Sequence, residues 1–348
     1  MMGREAETTQ KRSPFYTELC SLLGIQHPII QGALGGVAGP ALAAAVSNAG
    51  GLGVLPTWGL SLEDLRRSIR QTRELTRRPF AVNIVPISPG FARTRGEVVV
   101  EEGVGIITTG RADPRQPIVA FLKAHGVKVI GVVPTVRHAL RLEAEGADAV
   151  VASGSEAGGH VGRISTLALV PQVVDAVKIP VVAAGGIADA RGFVAALALG
   201  ACGIQMGTRF VATVESEASP QEKQRVLEAG DEDSVVTDIF TGKTTRVLRS
   251  AQLDRVLRSL EAGTPWEELR PQIIDLRRKK DAKDPGFTSI ASGQGAGLIK
   301  RITTAEEVIQ EIISGAEALW RRLGLSFPLV SCDRIGGSGA IHPEKGGP

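Results

Sequence analysis

The sequence predicts an α/β protein built on a (β/α)8 TIM barrel, with an inserted or appended helical subdomain. Short apolar segments alternate with helical segments through residues 28–208, which is typical of a parallel sheet. Eight such units in about 180 residues favour a closed barrel. The 42 glycines and the low aromatic content of 4% suit a buried parallel sheet under close-packed helices. The alternative, an open doubly wound sheet, is disfavoured because no GxGxxG follows the first strand.

Each strand candidate except the last is followed closely by a helix candidate, and the eighth helix is expected later in the chain. The strands are predicted at residues 28–32, 52–55, 80–85, 105–108, 127–133, 149–152, 181–184 and 203–206. The helices are predicted at residues 15–23, 40–49, 61–76, within 88–102, 116–125, 135–145, 166–177 and 189–199. Ser61 and Asp189 are the expected N-caps. Val136, Leu140 and Ala144 are expected on one face of their helix.

The remaining segments are assigned from their charge, proline content and helix signals. Residues 1–14 are polar and predict a disordered lead, and the barrel core then occupies residues 15–214. Residues 215–300 are more charged and are expected to form a mostly helical subdomain that ends in a glycine-rich loop. An amphipathic helix within 301–325, capped by Thr303 or Thr304, is expected to return to the barrel. Residues 326–348 are expected to be a flexible tail.

The composition argues against several classes of partner. The chain has 40 basic and 37 acidic residues, a net charge of +3, so neither nucleic acid nor a membrane is expected as a partner. Cys20, Cys202 and Cys332 are widely spaced and form no metal-ligand pattern, so no metal is predicted. The first residues lack an apolar signal region, and no run of 18 or more apolar residues occurs, so a reduced, cytoplasmic protein is expected.

Polar and glycine-rich positions follow the predicted strands, where the site of a parallel barrel forms. They are Gln31-Gly32, Asn83, residues 154–160, Gly185-Gly186 and residues 205–208. The clusters after the seventh and eighth strands, including Thr208, suggest phosphate binding through backbone N–H groups. The alternative is that these glycines only make tight turns.

Two further positions have a functional and a structural interpretation. The Asn83 amide can donate and accept, which suits a flat heterocycle, or it can satisfy a nearby loop. Residues 151–163, VASGSEAGGHVGR, combine glycines that allow close ligand approach with His160, which can move a proton near neutral pH. Alternatively, this segment is a glycine-rich turn with a solvated histidine.

Six segments resemble the nitronate monooxygenase (2-nitropropane dioxygenase-like) flavoproteins and their relatives, the FMN-dependent enoyl-acyl-carrier-protein reductases of the FabK type. The segments are PIIQG at 28–32, FAVN at 80–83, GSEAGGH at 154–160, PVVAAGGIAD at 180–189, QMGTRF at 205–210 and ASGQGAGLI at 291–299. The resemblance therefore covers about residues 15–323. Its combination of EAGGH, AAGGIAD and QMGTRF is highly specific to this group.

The resemblance implies a barrel that holds FMN non-covalently and a catalytic or substrate-orienting role for His160. Many relatives carry Gln at the position of Ser153. The candidate FMN contacts from strand ends and resemblance together are Gln31, Gly32, Asn83, Ser153, Gly158, Gly185, Gly186, Gln205, Met206, Gly207 and Thr208.

The resemblance favours a nitronate monooxygenase that oxidises alkyl nitronates with O2 to carbonyl compounds and nitrite. His160 would then orient the nitronate or take the α-proton. The alternative is an NADH-dependent FMN reductase of enoyl thioesters or quinones. A non-enzymatic binding module is disfavoured by His160 beside Gly158-Gly159. Many bacterial relatives have active-site tyrosines, whereas Tyr16 lies too early for that role. A homodimer is left open as a possible assembly.

Overall fold

Eight parallel strands form the predicted barrel in this computed structural model, which describes residues 13–110, 117–240, 242–277 and 290–324. The strands in chain order are β1 (Ile29–Gln31), β2 (Gly53–Pro56), β3 (Phe80–Ile84), β4 (Ile106–Thr109), β5 (Lys128–Val133), β6 (Ala149–Ser153), β7 (Gly159–His160), β8 (Val181–Ala184), β9 (Gly203–Met206), β10 (Ser234–Thr237) and β11 (Thr245–Leu248). The barrel order is β1-β9-β8-β6-β5-β4-β3-β2. A parallel bridge between Ile30 and Leu52 joins the two end strands. The eight predicted strands are confirmed, each within one residue at its ends.

Helices cover the outside of this barrel. They are α1 (Glu18–Leu23), α2 (Pro40–Asn48), α3 (Leu62–Leu75), α4 (Pro89–Glu101), α5 (Pro117–Ala124), α6 (Val136–Ala144), α7 (Thr166–Ala176), α8 (Ala190–Ala198), α9 (Thr208–Val211), α10 (Pro220–Glu228), α11 (Ala251–Glu261), α12 (Trp266–Arg277) and α13 (Ala305–Arg322). Ser61 and Asp189 cap α3 and α8 as predicted. No helix in the described part of the chain is both long and apolar enough to span a membrane.

The delayed eighth helix is α13. It packs between α8 and α2, in the gap that the short helix α9 leaves after β9. Thr304 is its N-cap, in a capping box with Glu307. Its Trp320 ring lies edge-on to Phe15, with ring centroids 5.8 Å apart. The predicted return of residues 301–325 to the barrel is therefore observed in its described part.

Val136, Leu140 and Ala144 share one face of α6 as their spacing predicts, but it is not the buried face. Leu140 is 45% exposed, whereas Ala139 and Leu142 are buried. An added Cβ at Gly131 in β5 would lie 2.2 Å from Leu142 Cδ1. The side chain of Leu142 thus occupies the space above that glycine, which is consistent with Leu142 lying on the inward face of α6.

The segment expected to be mostly helical also contains an antiparallel hairpin. Strands β10 and β11 pair from Ser234 with Leu248 to Thr237 with Thr245, and β11 pairs in turn with β7. Helices α11 and α12 share a small apolar core with this hairpin, including Phe240, Val247 and Leu253. Four-residue strands give too short an alternation to be recognised among charged helical stretches. The predicted lead up to residue 12 and the predicted tail 326–348 lie outside the described residues.

Candidate active site

A cavity of about 480 Å³ opens at the carboxyl ends of the barrel strands, where parallel barrels place their sites. Most sequence-predicted site residues line it: Gly32, Asn83, Ser153, Gly158, His160, Gly185, Gly186, Gln205, Met206, Gly207 and Thr208. Gln31 does not. Its carboxamide is fully buried, accepts from the Val54 N–H at 2.9 Å and donates to the Gly32 carbonyl. It therefore holds β1 against β2 instead of facing a ligand.

Glycines keep the cavity clear of side chains. A Cβ at Gly207 would lie 3.2 Å from Leu34 Cδ2, and one at Gly32 would lie 3.4 Å from the Met206 carbonyl oxygen. Gly185 and Gly186 have φ values of 105° and 73°, in the region that glycine adopts without strain. The cavity therefore has bare backbone where a ring and a phosphate would need close approach, and these residues fit FMN.

Thr208 connects this glycine cradle to the loop that begins at residue 290. Its hydroxyl oxygen accepts from the Gly293 N–H at 2.9 Å, which leaves the hydroxyl proton able to donate to a phosphate. The next residue, Arg209, points elsewhere. Its buried guanidinium donates to the Ala212 carbonyl and to Thr303 Oγ1, and burial lowers its pKa. Arg209 is thus held in a structural role.

Glu156 of the EAGGH segment has a structural partner. Its two carboxylate oxygens each accept from the Thr166 N–H at 2.9 Å, and one also accepts from Thr166 Oγ1 at 3.0 Å. The amino-terminal end of α7 therefore already has an anion, which its dipole favours. The ends of β8 and β9, where the sequence predicts phosphate binding, have no such side-chain anion among the described lining residues.

Asn83 is fixed by its neighbouring strand. Its amide nitrogen donates to Thr108 Oγ1 at 3.0 Å and to the Thr108 carbonyl at 3.3 Å. This leaves the Asn83 carbonyl oxygen to accept from a ligand N–H. The structural and functional interpretations of this residue are therefore compatible.

The glycines of two distant segments allow their backbones to stack. A Cβ at Gly158 would lie 2.8 Å from the Ser292 carbonyl carbon, and a Cβ at Gly293 would lie 2.5 Å from the backbone carbonyl oxygen of Glu156. The Gln294 N–H donates to that same Glu156 carbonyl at 2.9 Å. Both segments stand out in the sequence, but their pairing does not.

His160 lies on β7, at the exposed mouth of the cavity. It is opposite Thr245 of β11, and Gly159 is opposite Arg246. The Val161 N–H donates to the Thr244 carbonyl at 3.0 Å. The hairpin β10–β11 therefore supports His160, the candidate catalytic residue. The sequence predicted His160 but not its support by a hairpin. The sequence signal that could have indicated this hairpin is Arg246, a charged residue within the short strand β11.

The described residues that line the cavity carry little charge. Among the lining residues that the structure describes, the only titratable side chains are His160 and Glu222. The Glu222 carboxylate accepts from the Ser219 N–H at 2.8 Å in the capping box of α10. Within the described ranges, no group of three or more His, Cys, Asp or Glu residues could hold a metal ion.

Comparisons with known proteins agree with this arrangement. The family model for nitronate monooxygenase matches residues 16–315. The chain is 41% identical, over 86% of its length and 96% of the relative's, to the (3aS,4S,5R,7aS)-5-hydroxy-7a-methyl-1-oxo-octahydro-1H-indene-4-carboxyl-CoA dehydrogenase of Mycobacterium tuberculosis. It is 33% identical, over 88% and 99%, to a Staphylococcus saprophyticus protein named "Probable nitronate monooxygenase".

Among solved structures, FabK from Thermotoga maritima is 41% identical and superposes with a TM-score of 0.82, covering 89% of this chain and 98% of FabK. The region matched by the family model includes the barrel, the hairpin and α13 as far as residue 315. The chain therefore belongs to the nitronate monooxygenase family of flavin-dependent oxidoreductases.

Proposed function

We propose that this chain is an FMN-dependent oxidoreductase of acyl thioesters, in which His160 handles the substrate proton. The observation that carries the proposal is a cavity wall with several apolar side chains and, among the described lining residues, almost no charge. This wall includes Leu34, Val85, Val132, Ile187 and Ile290, and no described lining residue is Lys or Arg.

FMN would occupy the glycine cradle. Its phosphate would lie at Gly186, Gly207 and Thr208, and its ring would face Asn83 and Ser153. When bound, FMN would supply the hydride transfer between a nicotinamide and the β-carbon of the acyl chain. The protein contributes the backbone donors, the fixed Asn83 amide and the exclusion of water by the apolar wall.

The lining favours an uncharged reacting group. An acyl chain gains about 25 cal/mol for each Å² of apolar surface removed from water. An anionic reacting group would lose hydration at the same wall and would need a charged partner, and among the described lining residues only His160 could supply a positive charge. The relatives support the same class, because both the 41% identical CoA-ester dehydrogenase and the 41% identical FabK are more similar to this chain than the staphylococcal protein.

His160 is the described lining residue that can both donate and accept a proton near neutral pH. It would exchange a proton at the carbon next to the thioester carbonyl, while the hydride moves at the neighbouring carbon. General acid–base catalysis of this kind contributes about 10²–10⁴-fold to a rate.

The test is an anaerobic visible-absorption titration of the purified, FMN-loaded protein. We expect NADH to bleach the oxidised flavin band and a 2-enoyl thioester of coenzyme A to restore it. A free 2-enoic acid of the same chain length is the control and should restore nothing quickly. Restoration by neither compound would contradict the thioester class.

Nitronate oxidation is the second candidate function. It is favoured by the family model and by His160, whose protonated form could pair with a nitronate anion. Under air, an alkyl nitronate should then consume O2 and release nitrite without NADH. Nitrite release together with no response to the enoyl thioester would replace the first proposal by this one. The use of O2 or NADH and the homodimer stay predictions.

A further inference from the structure

We propose that Arg246 is a positioning residue that fixes His160 by joining both ends of the loop that carries it. The inference rests on the proposed role of His160. It makes the hairpin β10–β11 part of the active site rather than an external appendage.

Arg246 is a buried cation, 8% exposed, and its fork donates to backbone carbonyls of two separate segments. Nε donates to the Ser155 carbonyl at 2.9 Å, and Nη1 donates to the Ser234 carbonyl at 2.8 Å. The rigid guanidinium fork can satisfy both directions at once, which a single ammonium group does less well.

The bond to Ser155 acts at the start of the loop that ends at His160, whereas the bond to Ser234 ties Arg246 to β10. Ser155 follows the end of β6, and its own N–H donates to the Ile164 carbonyl at 2.8 Å. The end of the loop is held separately, because Gly159 and His160 pair with Arg246 and Thr245 in β11. One residue of the hairpin therefore bonds the first part of the loop while its own strand bonds the last part.

The loop needs two anchors because its middle is glycine. Gly158 carries no side chain, and Gly159 has a φ of 74°, a conformation open to glycine without strain. Rotation at Gly158 and Gly159 would displace His160. The contacts of Glu156 with Thr166 and Gln294 restrain the middle of the loop, and the bond from Arg246 to Ser155 restrains its start.

The hairpin is in turn connected to the cofactor cradle. Ser234 Oγ donates to the Ser292 carbonyl at 3.1 Å, and the next residue, Gly293, donates to Thr208 Oγ1. Arg246 thus belongs to a continuous series of bonds between the cradle and His160. Its loss should move the histidine more than the FMN, because Arg246 bonds the histidine loop directly but reaches Thr208 only through three further residues.

The experiment compares Arg246→Met, Arg246→Lys and the control Arg249→Met in the FMN-loaded protein. Arg249 follows β11, is exposed, and pairs with Asp254. Three properties are measured: bound FMN per chain, kcat and KM with the enoyl thioester, and the ring resonances of isotope-labelled histidines. The His160 resonance is assigned by its absence from His160→Gln.

We expect Arg246→Met to bind FMN and keep its KM while kcat falls about 10²-fold, as misplacement of a reacting group by about 1 Å would cause. Its His160 resonance should shift or broaden, whereas the other histidines should not change. Arg246→Lys should recover part of the lost kcat, and Arg249→Met should match the wild-type protein.

Wild-type kcat in folded Arg246→Met overturns the proposal, whether or not the His160 resonance moves, and so does a rise in KM alone. If Arg246→Met does not fold, the decision rests on kcat and the His160 resonance of Arg246→Lys. Wild-type values of both in Arg246→Lys would then overturn the proposal. If the wild-type protein does not turn over the thioester, the proposed substrate class fails. The histidine resonance alone then decides, and an unchanged His160 signal overturns the role of Arg246.

Discussion

The two ends of the barrel are built from the same strands but are packed in opposite ways. At the amino-terminal end, α1 covers the opening, and Leu19, Cys20, Leu23 and Ile25 join the apolar interior of the barrel. At the carboxyl end, the same strands finish at glycines and short polar side chains around an open cavity. One end is filled by side chains, and the other is kept free of them.

Strand β9 shows the difference within a few residues. Gly203 begins the strand, and a Cβ there would lie 2.5 Å from the Pro28 carbonyl oxygen and 2.7 Å from Leu19 Cδ2. Gly207 follows the strand, and a Cβ there would face the cavity beside Leu34. The first glycine allows dense packing, whereas the second leaves space for a ligand. Glycine therefore has a packing role at one end and a proposed binding role at the other.

The largest effect is expected from Gly207→Val, which should release FMN and abolish all flavin-dependent turnover. The isopropyl group would fill the space where the backbone approaches the phosphate. The measurement is FMN absorbance per chain after gel filtration, with circular dichroism to verify the fold. FMN retained at wild-type stoichiometry would count against the assigned phosphate position.

Gly203→Ala is the matched control at the other end of β9. Overpacking at this site should cost about 1–3 kcal/mol of unfolding free energy, measured by urea denaturation. FMN stoichiometry should stay unchanged. If Gly203→Ala released FMN and Gly207→Val did not, the contrast between the two ends would be reversed.

The next largest effect is expected from His160→Ala, which should lower kcat about 10²–10⁴-fold with FMN still bound. The control is His125→Ala at the amino-terminal end, where the exposed His125 ring bonds the Phe121 carbonyl. That variant should turn over at the wild-type rate. Equal rates for both variants would remove the acid–base role from His160.

The sequence predicted the barrel because a parallel sheet repeats one local pattern eight times. Apolar strand interiors, N-caps such as Asp189 and glycines after strands are local signals, and each reports on structure within a few residues. The cavity lining followed from the same repetition, since every strand delivers its final residues to one end. Gln31 was the exception, because which way a residue at a strand end turns depends on its neighbouring strand.

The hairpin could not be predicted in this way. Its strands are short, and β11 pairs with a strand far away in the sequence. Thr245 of β11 is opposite His160 of β7, which precedes it by 85 residues. The stacking of Gly158 on Ser292 is likewise a contact between distant segments that leaves no periodic pattern. The resemblance identified both glycine-rich segments, but only the three-dimensional arrangement shows that they support each other beneath His160.

The smallest effect is expected in the outer helical layer, which should influence stability and leave FMN binding at the open end unchanged. Glu102, after α4, accepts from Arg70 Nε at 3.1 Å and Arg70 Nη2 at 2.8 Å, with Arg66 Nη1 at 3.4 Å. Glu102→Gln should cost about 1 kcal/mol or less of unfolding free energy at neutral pH, while the exposed control Glu97→Gln should cost less still.

The pH dependence of this effect follows from the ionisation of Glu102. The hydrogen bond from Arg70, followed by its charge and that of Arg66, holds the pKa of Glu102 below its usual value. The stabilisation is therefore complete above the unfolded-state value of about 4.3 and is lost as the pH falls through the lower folded-state pKa. Urea denaturation of wild type and Glu102→Gln should differ at neutral pH and converge in acid. A difference that persists unchanged in acid would mean that Glu102 acts through packing rather than through its charge.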